Sequence, residues 1–294
     1  MALDMTSAWF AYADHAGQPR ASVTTGDMTA DGASASPVAN IVDRYIYRAW
    51  QSPTEDEYFE IDFGADVSIQ CLMVVFPRIT NPYRKYDTQE ILPTDLIRHL
   101  IDADGGTPGT GAVLDTGTIA CGALATRGYS CAALATAVTG RYWRCRITAN
   151  SRAAAGFFLV SLAMAAPIFQ PAFNHVFGER IGFPDNAEVQ RTPTSQTSFV
   201  TRNERTLRAS LVWDFFKDSE RASWEAMAEY SGTTEPVIFS VANDSLSPFT
   251  SATGPSGWIA QGDKIFVGLF EDDAGITSRQ LNANIKQVQL MEHR

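Results

Sequence analysis

Between Tyr58 and Phe63 the chain alternates strictly: Phe59, Ile61 and Phe63 are apolar, while Tyr58, Glu60 and Asp62 are polar. Successive side chains of a strand point to opposite faces, so this hexapeptide buries one face and exposes the other only as a β-strand. Gly64 then permits a turn, and Val67 to Phe76 resumes as a second apolar run. Its core, Cys71 to Phe76, is apolar nearly throughout, the pattern of a strand covered on both faces. Leu96 to Ile101 reads as another strand, closed by the turn residues Asp102 to Gly106. Tyr142 to Thr148 alternates again, with Trp143, Cys145 and Ile147 expected to point inward. Phe157 to Met164 follows as a closing strand. A chain with this rhythm is expected to be mainly β.

A length of 294 residues suits two domains of ~100–200 residues each. Residues 1 to about 20 read as a lead-in, and the Ser-, Thr-, Ala- and Gly-rich stretch Ala21 to Asn40 as a loop. Pro167 and Pro171 bracket an expected linker, which predicts domains at 1–168 and 169–294. In the second, Arg205 to Phe216 alternates, with Leu207, Ala209, Leu211, Trp213 and Phe215 on one face. Asp218-Ser219-Glu220 predicts a helix start, since acidic side chains favour the first turn. Trp224, Met227 and Ala228 then form one apolar stripe of a short amphipathic helix, and Gly232 is its expected cap. Strands are predicted over Pro236–Val241, Lys264–Phe270 and Ala283–Met291, with a β-bulge between Ile285 and Val288, where the alternation slips.

Charge narrows the partners. A formal net charge of -10 disfavours phosphate backbones and anionic membranes, so neither nucleic acid nor membrane insertion is expected. The first residues lack the basic start and apolar core of a secretory signal, and the longest apolar run, Gly156 to Pro167, is too short to span a bilayer. A soluble protein synthesised in a cytoplasm is the expectation. Cys71, Cys121, Cys131 and Cys145 show no CxxC spacing, so they are expected as buried, reduced thiols. A Cys121–Cys131 disulfide is the alternative for an exported chain.

Catalytic signatures do not emerge. His15, His99, His175 and His293 have no metal-ligand spacing, and His99 is expected as a surface or half-buried structural residue. Gly105 to Gly111 lacks the Lys-Ser/Thr ending of a phosphate-binding loop and reads as a hairpin or long loop. Glu55-Asp56-Glu57 and Glu271-Asp272-Asp273 are expected as solvated turns, with a bound calcium ion the sharper alternative. No cofactor and no metal are expected, and the chain is not expected to be an enzyme. Trp50 reads as core. The candidate for recognition is the segment Ile79 to Asp87, where Tyr83, Arg84, Lys85 and Tyr86 set aromatic faces and cations in an otherwise acidic chain.

In order, the step Asn40-Ile41-Val42-Asp43, Trp50, the alternating strand to Gly64, Leu96 to Gly106 and the Arg144-containing strand resemble a discoidin-like (factor 5/8 C-type, galactose-binding-like) module over about residues 20–168. That resemblance implies a jelly-roll β-sandwich whose end loops bind ligands. It adds Tyr45 and Tyr47, from a neighbouring loop, to Tyr83, Arg84, Lys85 and Tyr86 as the binding set. The order of the second half, an alternating strand, a Ser-Glu-Arg helix start, Glu-Pro-Val-Ile-Phe and a closing strand, resembles distal-tail or tail-tip proteins of tailed bacteriophages. Together the two imply a virion structural protein of the tail tip or baseplate. Its partners would be other copies of itself in a symmetric ring and neighbouring tail proteins, with a host glycan as a further ligand. Against this stand a lectin-like carbohydrate-binding module and, more remotely, a glycoside hydrolase or depolymerase.

Overall fold

The structure is a computed structural model. It describes residues 3–4, 7–16, 22–25, 37–43, 48–77, 91–103, 111–122, 125, 128–148, 157–173, 180–182, 187–191, 197–202, 208–213, 217–231, 235–241, 246–260, 265–270, 276–280 and 283–292. The fold is mainly β in several sheets, as the alternation requires, and the described residues contain one α-helix. Two compact units form. One joins Met1–Gln170 to Val237–Phe266, and the other joins Pro171–Pro236 to Val267–Arg294. A single division at 168/169 does not express this, because Val237–Phe266 returns to the first unit.

Strands are numbered along the chain. The first unit holds β1 (Trp9–Ala11), β2 (Ser22–Thr25), β3 (Trp50–Gln51), β4 (Asp56–Val75), β5 (Leu96–Asp102), β6 (Ala112–Asp115), β7 (Ile119–Ala120), β8 (Tyr129–Thr148), β9 (Leu159–Val160), β10 (Leu162–Ala166) and β11 (Ile168–Phe169), together with the returning β16 (Val237–Ser240), β17 (Leu246–Phe249) and β18 (Gly257–Ala260). Its frame is the antiparallel pair β4–β8, which runs from Asp56↔Thr148 to Val75↔Tyr129. Around it the order is β10-β4-β8-β18-β17, with β2 on β4, β5 on β8, and β6 and β7 on β5.

The turn expected at Gly64 is a bulge inside one long strand. Between Asp62 and Val67 the partner advances only from Tyr142 to Gly140, leaving three extra residues on β4. Gly64 takes φ 75, a conformation that costs a side-chain-bearing residue, and its N–H donates to Asp62 Oδ1 at 2.7 Å. Between Ile69 and Cys71 the imbalance reverses, with Val138 and Ala133 as partners and the extra residues on β8. The core-facing set changes parity accordingly. Phe59, Ile61, Phe63, Val67 and Ile69 line the main core before the second shift, and Leu72, Val74 and Phe76 after it. Cys71, Met73 and Val75 are buried as well, so both faces of that half are covered, as its apolar run predicts.

Edge-to-face aromatic contacts organise the main core. Trp50 meets Phe59 at 6.1 Å and Phe158 at 5.6 Å, and Phe59 meets Trp143 at 5.5 Å. Trp50, Trp143, Cys145 and Ile147 are inward as predicted. The Asn40 step has a local reason: Val38–Val42 is a 3-10 turn, and Asn40 Nδ2 donates to the Ala49 carbonyl at 3.1 Å, fixing the chain just before Trp50.

Two expectations are corrected here. Residues 1–20 are not a mere lead-in, because Trp9, Phe10 and Ala11 form the buried strand β1 between β11 and β16. The bracket between Pro167 and Pro171 is not a free linker either, since Ile168–Phe169 pairs with β1, Phe10 opposite Phe169.

The second unit contains β12 (Arg180–Gly182), β13 (Ala187–Arg191), β14 (Thr197–Arg202), β15 (Arg208–Trp213), α1 (Arg221–Ser231), β19 (Ile265–Phe270) from Val267 onward, β20 (Ile276–Gln280) and β21 (Ala283–Glu292). Strand β15 lies between β12 and β21, and β13 pairs with β14. Asp218–Glu220 is a 3-10 turn, and the α-helix starts one residue later, at Arg221. Trp224, Met227 and Ser231 are its buried positions, and Trp224 packs edge-on to Trp213 at 5.2 Å. The expected cap Gly232 lies outside the described residues. The bulge expected between Ile285 and Val288 is absent, because β21 pairs evenly with β15 from Lys286 to Met291. The irregularity falls on the facing strand, between Ser278 and Gln280.

Candidate functional site

The residues singled out by sequence, Tyr45, Tyr47, Tyr83, Arg84, Lys85 and Tyr86, all lie outside the described residues. So do the Glu271 cluster and most of the glycine-rich stretch. What the structure does bring together is the outward face of β4, β8 and β5, which the sequence reading did not assemble.

Register builds this face in rows. Tyr58 lies opposite Arg146, which lies opposite Arg98. Glu60 lies opposite Arg144, which faces Leu100. Asp62 lies opposite Tyr142, which faces Asp102. Because the inward residues of the same strands are locked into the core, the outward ones have no freedom to exchange faces. Four guanidiniums then meet four carboxylates. Arg98 grips Asp115 with two bonds of 2.9 and 2.6 Å. Arg141 grips Asp62 at 2.7 and 2.8 Å, and Arg146 grips Asp56 at 2.8 and 2.5 Å. Arg144 places Nε and Nη2 on Glu60 Oε2 at 3.0 and 2.6 Å, and its guanidinium sits 4.3 Å from the centroid of Tyr58. Thr148 Oγ1 adds a donor to Asp56 at 2.9 Å.

The electrostatics follow from these forks. Hydrogen bonds from the arginines hold the carboxyls of Asp56, Asp62 and Asp115 below the usual range, against a smaller opposing effect of burial. The same bonds raise Arg98, Arg141 and Arg146. These three carboxyls are therefore ionised acceptors, the opposite of the raised carboxyl a proton-donating acid needs. Glu57, in the acidic run expected as a solvated turn, is buried, and its Oε1 accepts from the Tyr58 N–H at 2.8 Å. Among the described residues no group of His, Cys, Asp and Glu is placed to hold a metal ion, and no helix is long and apolar enough to cross a membrane.

His99 is more deeply buried than the surface or half-buried place expected for it. It is fully buried, its Nδ1 accepts from Trp143 Nε1 at 3.3 Å, and burial pushes its pKa down to about 3. It is a core residue in its neutral form. All four cysteines are free and buried, and the alternative Cys121–Cys131 disulfide is not formed.

The outward face was legible in pieces. Tyr58, Glu60 and Asp62 form the polar half of one alternating strand, and Tyr142, Arg144 and Arg146 that of another. Only the pairing register shows that opposite charges meet.

No protein-family model matches the chain, and no curated protein matches it. Solved structures similar to it include a chitosan-binding module from a chitosanase/glucanase of Paenibacillus sp. IK-5, at 13% identity and TM-score 0.37, covering 53% of this chain and 100% of the module. Another is a CBM32 module of Clostridium perfringens in complex with GalNAc-β-1,3-galactose, at 9% identity and TM-score 0.37, covering 50% of this chain and 96% of the module. A third is a GH29 fucosidase of Ruminococcus gnavus, at 14% identity and TM-score 0.35, covering 52% of this chain and 26% of the enzyme. At such scores the likeness fixes neither a ligand nor an activity for this chain.

Proposed function

We propose that this protein is a non-catalytic binding module whose ligand is a hydroxyl-rich, uncharged glycan laid on the outward face of β4, β8 and β5. The observation that carries this reading is the register of four arginine–carboxylate forks with Tyr58 and Tyr142 on one sheet face. Sugar hydroxyls need donors and acceptors at fixed positions, and each fork supplies both. The forks also hold long side chains still before a ligand arrives, which lowers the ordering cost of binding. Within each fork one positive charge meets one negative charge, so no fork offers the unpaired cation an anionic ligand would need, which favours a neutral ligand. The discoidin-like resemblance of the first half agrees with a binding role.

The test is glycan-array screening followed by calorimetry. Arg146→Ala and Tyr58→Ala are expected to weaken glycan binding by about tenfold or more, equivalent to at least ~1.4 kcal/mol. Tyr83→Ala and Tyr86→Ala run in parallel. If only those two lose binding, the ligand sits on the 79–87 segment and the sheet-face reading is wrong.

A second reading, a structural protein of a phage tail tip that docks neighbours in a ring, is supported by the order of elements in the second half: strand β15, helix α1, strand β16 and the closing strand β21. Native mass measurement of the purified chain tests it, since a ring would give a closed multiple of 32.1 kDa and a strict monomer would oppose it.

A further inference from the structure

Cys71 and Cys131 stand on the two central strands of the first unit. Register places Cys71 opposite Ala133 and Met73 opposite Cys131, so the two cysteines are diagonal neighbours across the β4–β8 ladder. Their side chains share the face turned away from Leu72, Val74, Ala132 and Leu134, which belong to the main core. The sulfurs lie 3.8 Å apart, and both residues are fully buried. They are 60 positions apart in sequence, and no CxxC or similar spacing announces them.

We propose that Cys71 and Cys131 are a latent cross-link site, closed to a disulfide when the chain folds in the presence of a low-molecular-weight disulfide such as oxidised glutathione. The sulfurs need to close from 3.8 Å to about 2.05 Å, and for a diagonal pair that takes side-chain rotation together with a small shift of β4 against β8. The exchange balances: one S–S bond of the small disulfide breaks and one S–S bond forms in the protein. The two thiols give up their electron pair and two protons, which leave as two small thiols. Timing follows from burial. In the folded unit neither thiol meets solvent, and burial with the neighbouring Cys131 pushes the Cys71 thiol well up, so it is a poor nucleophile there. Closure therefore belongs to the folding chain, before β4 and β8 are covered. The finished bond is then sheltered from reductants, a lock that is set once.

Tryptic cleavage separates the four cysteines into residues 49–78, 99–127, 128–141 and 145–146, so any pairing can be read directly. The full chain is unfolded, refolded with a glutathione redox pair and weighed intact, then alkylated in denaturant and digested without reduction. The expected result is an intact mass lower by about 2 Da and a cross-linked peptide joining 49–78 to 128–141. The midpoint of thermal unfolding should rise by roughly 5 °C relative to the reduced protein. Cys71→Ser and Cys131→Ser should each abolish the mass loss, while Cys121→Ser should keep it. A cross-link involving 99–127 or 145–146 in its place, or native refolding under oxidant with four alkylated thiols, would overturn the proposal.

Discussion

At the residue scale the decisive group is His99. Its Nδ1 is satisfied by Trp143, and its ring lies 5.9 Å from that indole within a closed core. Because burial lowers its pKa from 6.5 to about 3, the unfolded chain takes up a proton before the folded one does. The sign follows: the stability that neutral His99 contributes is complete above about pH 6.5 and drains away as pH falls toward 3, by at most ~1.4 kcal/mol per pH unit. Urea unfolding at pH 7.0 and 4.5 should show this slope in the wild type. His99→Gln, which retains an acceptor for the indole, should flatten most of it. Equal slopes in the two proteins would mean that His99 is hydrated in the native state. Sequence gave no warning, because a histidine in an alternating strand reads equally well on either face.

At the element scale, glycines mark where backbones approach. A Cβ on Gly257 would lie 2.4 Å from the Ala133 carbonyl oxygen and 2.8 Å from the Phe249 ring. Gly257→Ala should therefore prise β18 from β8 and cost about 1–3 kcal/mol in thermal unfolding. Gly64→Ala strains only an exposed bulge and should cost less, ~1 kcal/mol. The reverse order would show that the bulge, and not the β18 contact, holds the frame. The outward forks have their own pH signature. Asp56, Asp62 and Asp115 are lowered by their arginines, so their contribution is complete above about pH 4 and is lost as pH falls through the folded values. Asp56 and Arg146 are 44% and 53% exposed, so screening leaves that pair little weight in stability. Arg144 and Glu60, at 14% and 26%, carry more, and Arg144→Ala also uncovers the Tyr58 ring. A loss of about 1–2 kcal/mol is expected for Arg144→Ala, against less than ~0.5 kcal/mol for Arg146→Ala, in chemical unfolding. Arg146→Ala can therefore test ligand binding with the fold intact.

At the scale of the whole molecule, the return of Val237–Phe266 to the first unit governs behaviour. A fragment of residues 1–170 would lack β16 beside β1 and β18 beside β8, leaving two strand edges and their apolar faces in water. Such a fragment should aggregate or unfold well below the full chain, as read by light scattering and thermal unfolding. A monomeric fragment with the full chain's unfolding midpoint would show that the returning segment is dispensable.

The alternation of Phe59, Ile61 and Phe63, and of Trp143, Cys145 and Ile147, was enough to settle that these stretches are strands and which side chains face inward, since a period of two leaves one burial solution. The stripe Trp224–Met227 did the same for the helix. Pairing partners were beyond its reach. That Arg144 meets Glu60, that Cys71 comes within 3.8 Å of Cys131, and that Gly64 is a bulge inside a twenty-residue strand all depend on register between segments some 60 to 84 positions apart. Local pattern carries no information on that register. It is fixed only when the two faces of β4 and β8 find their common burial, and the tertiary structure alone records the result.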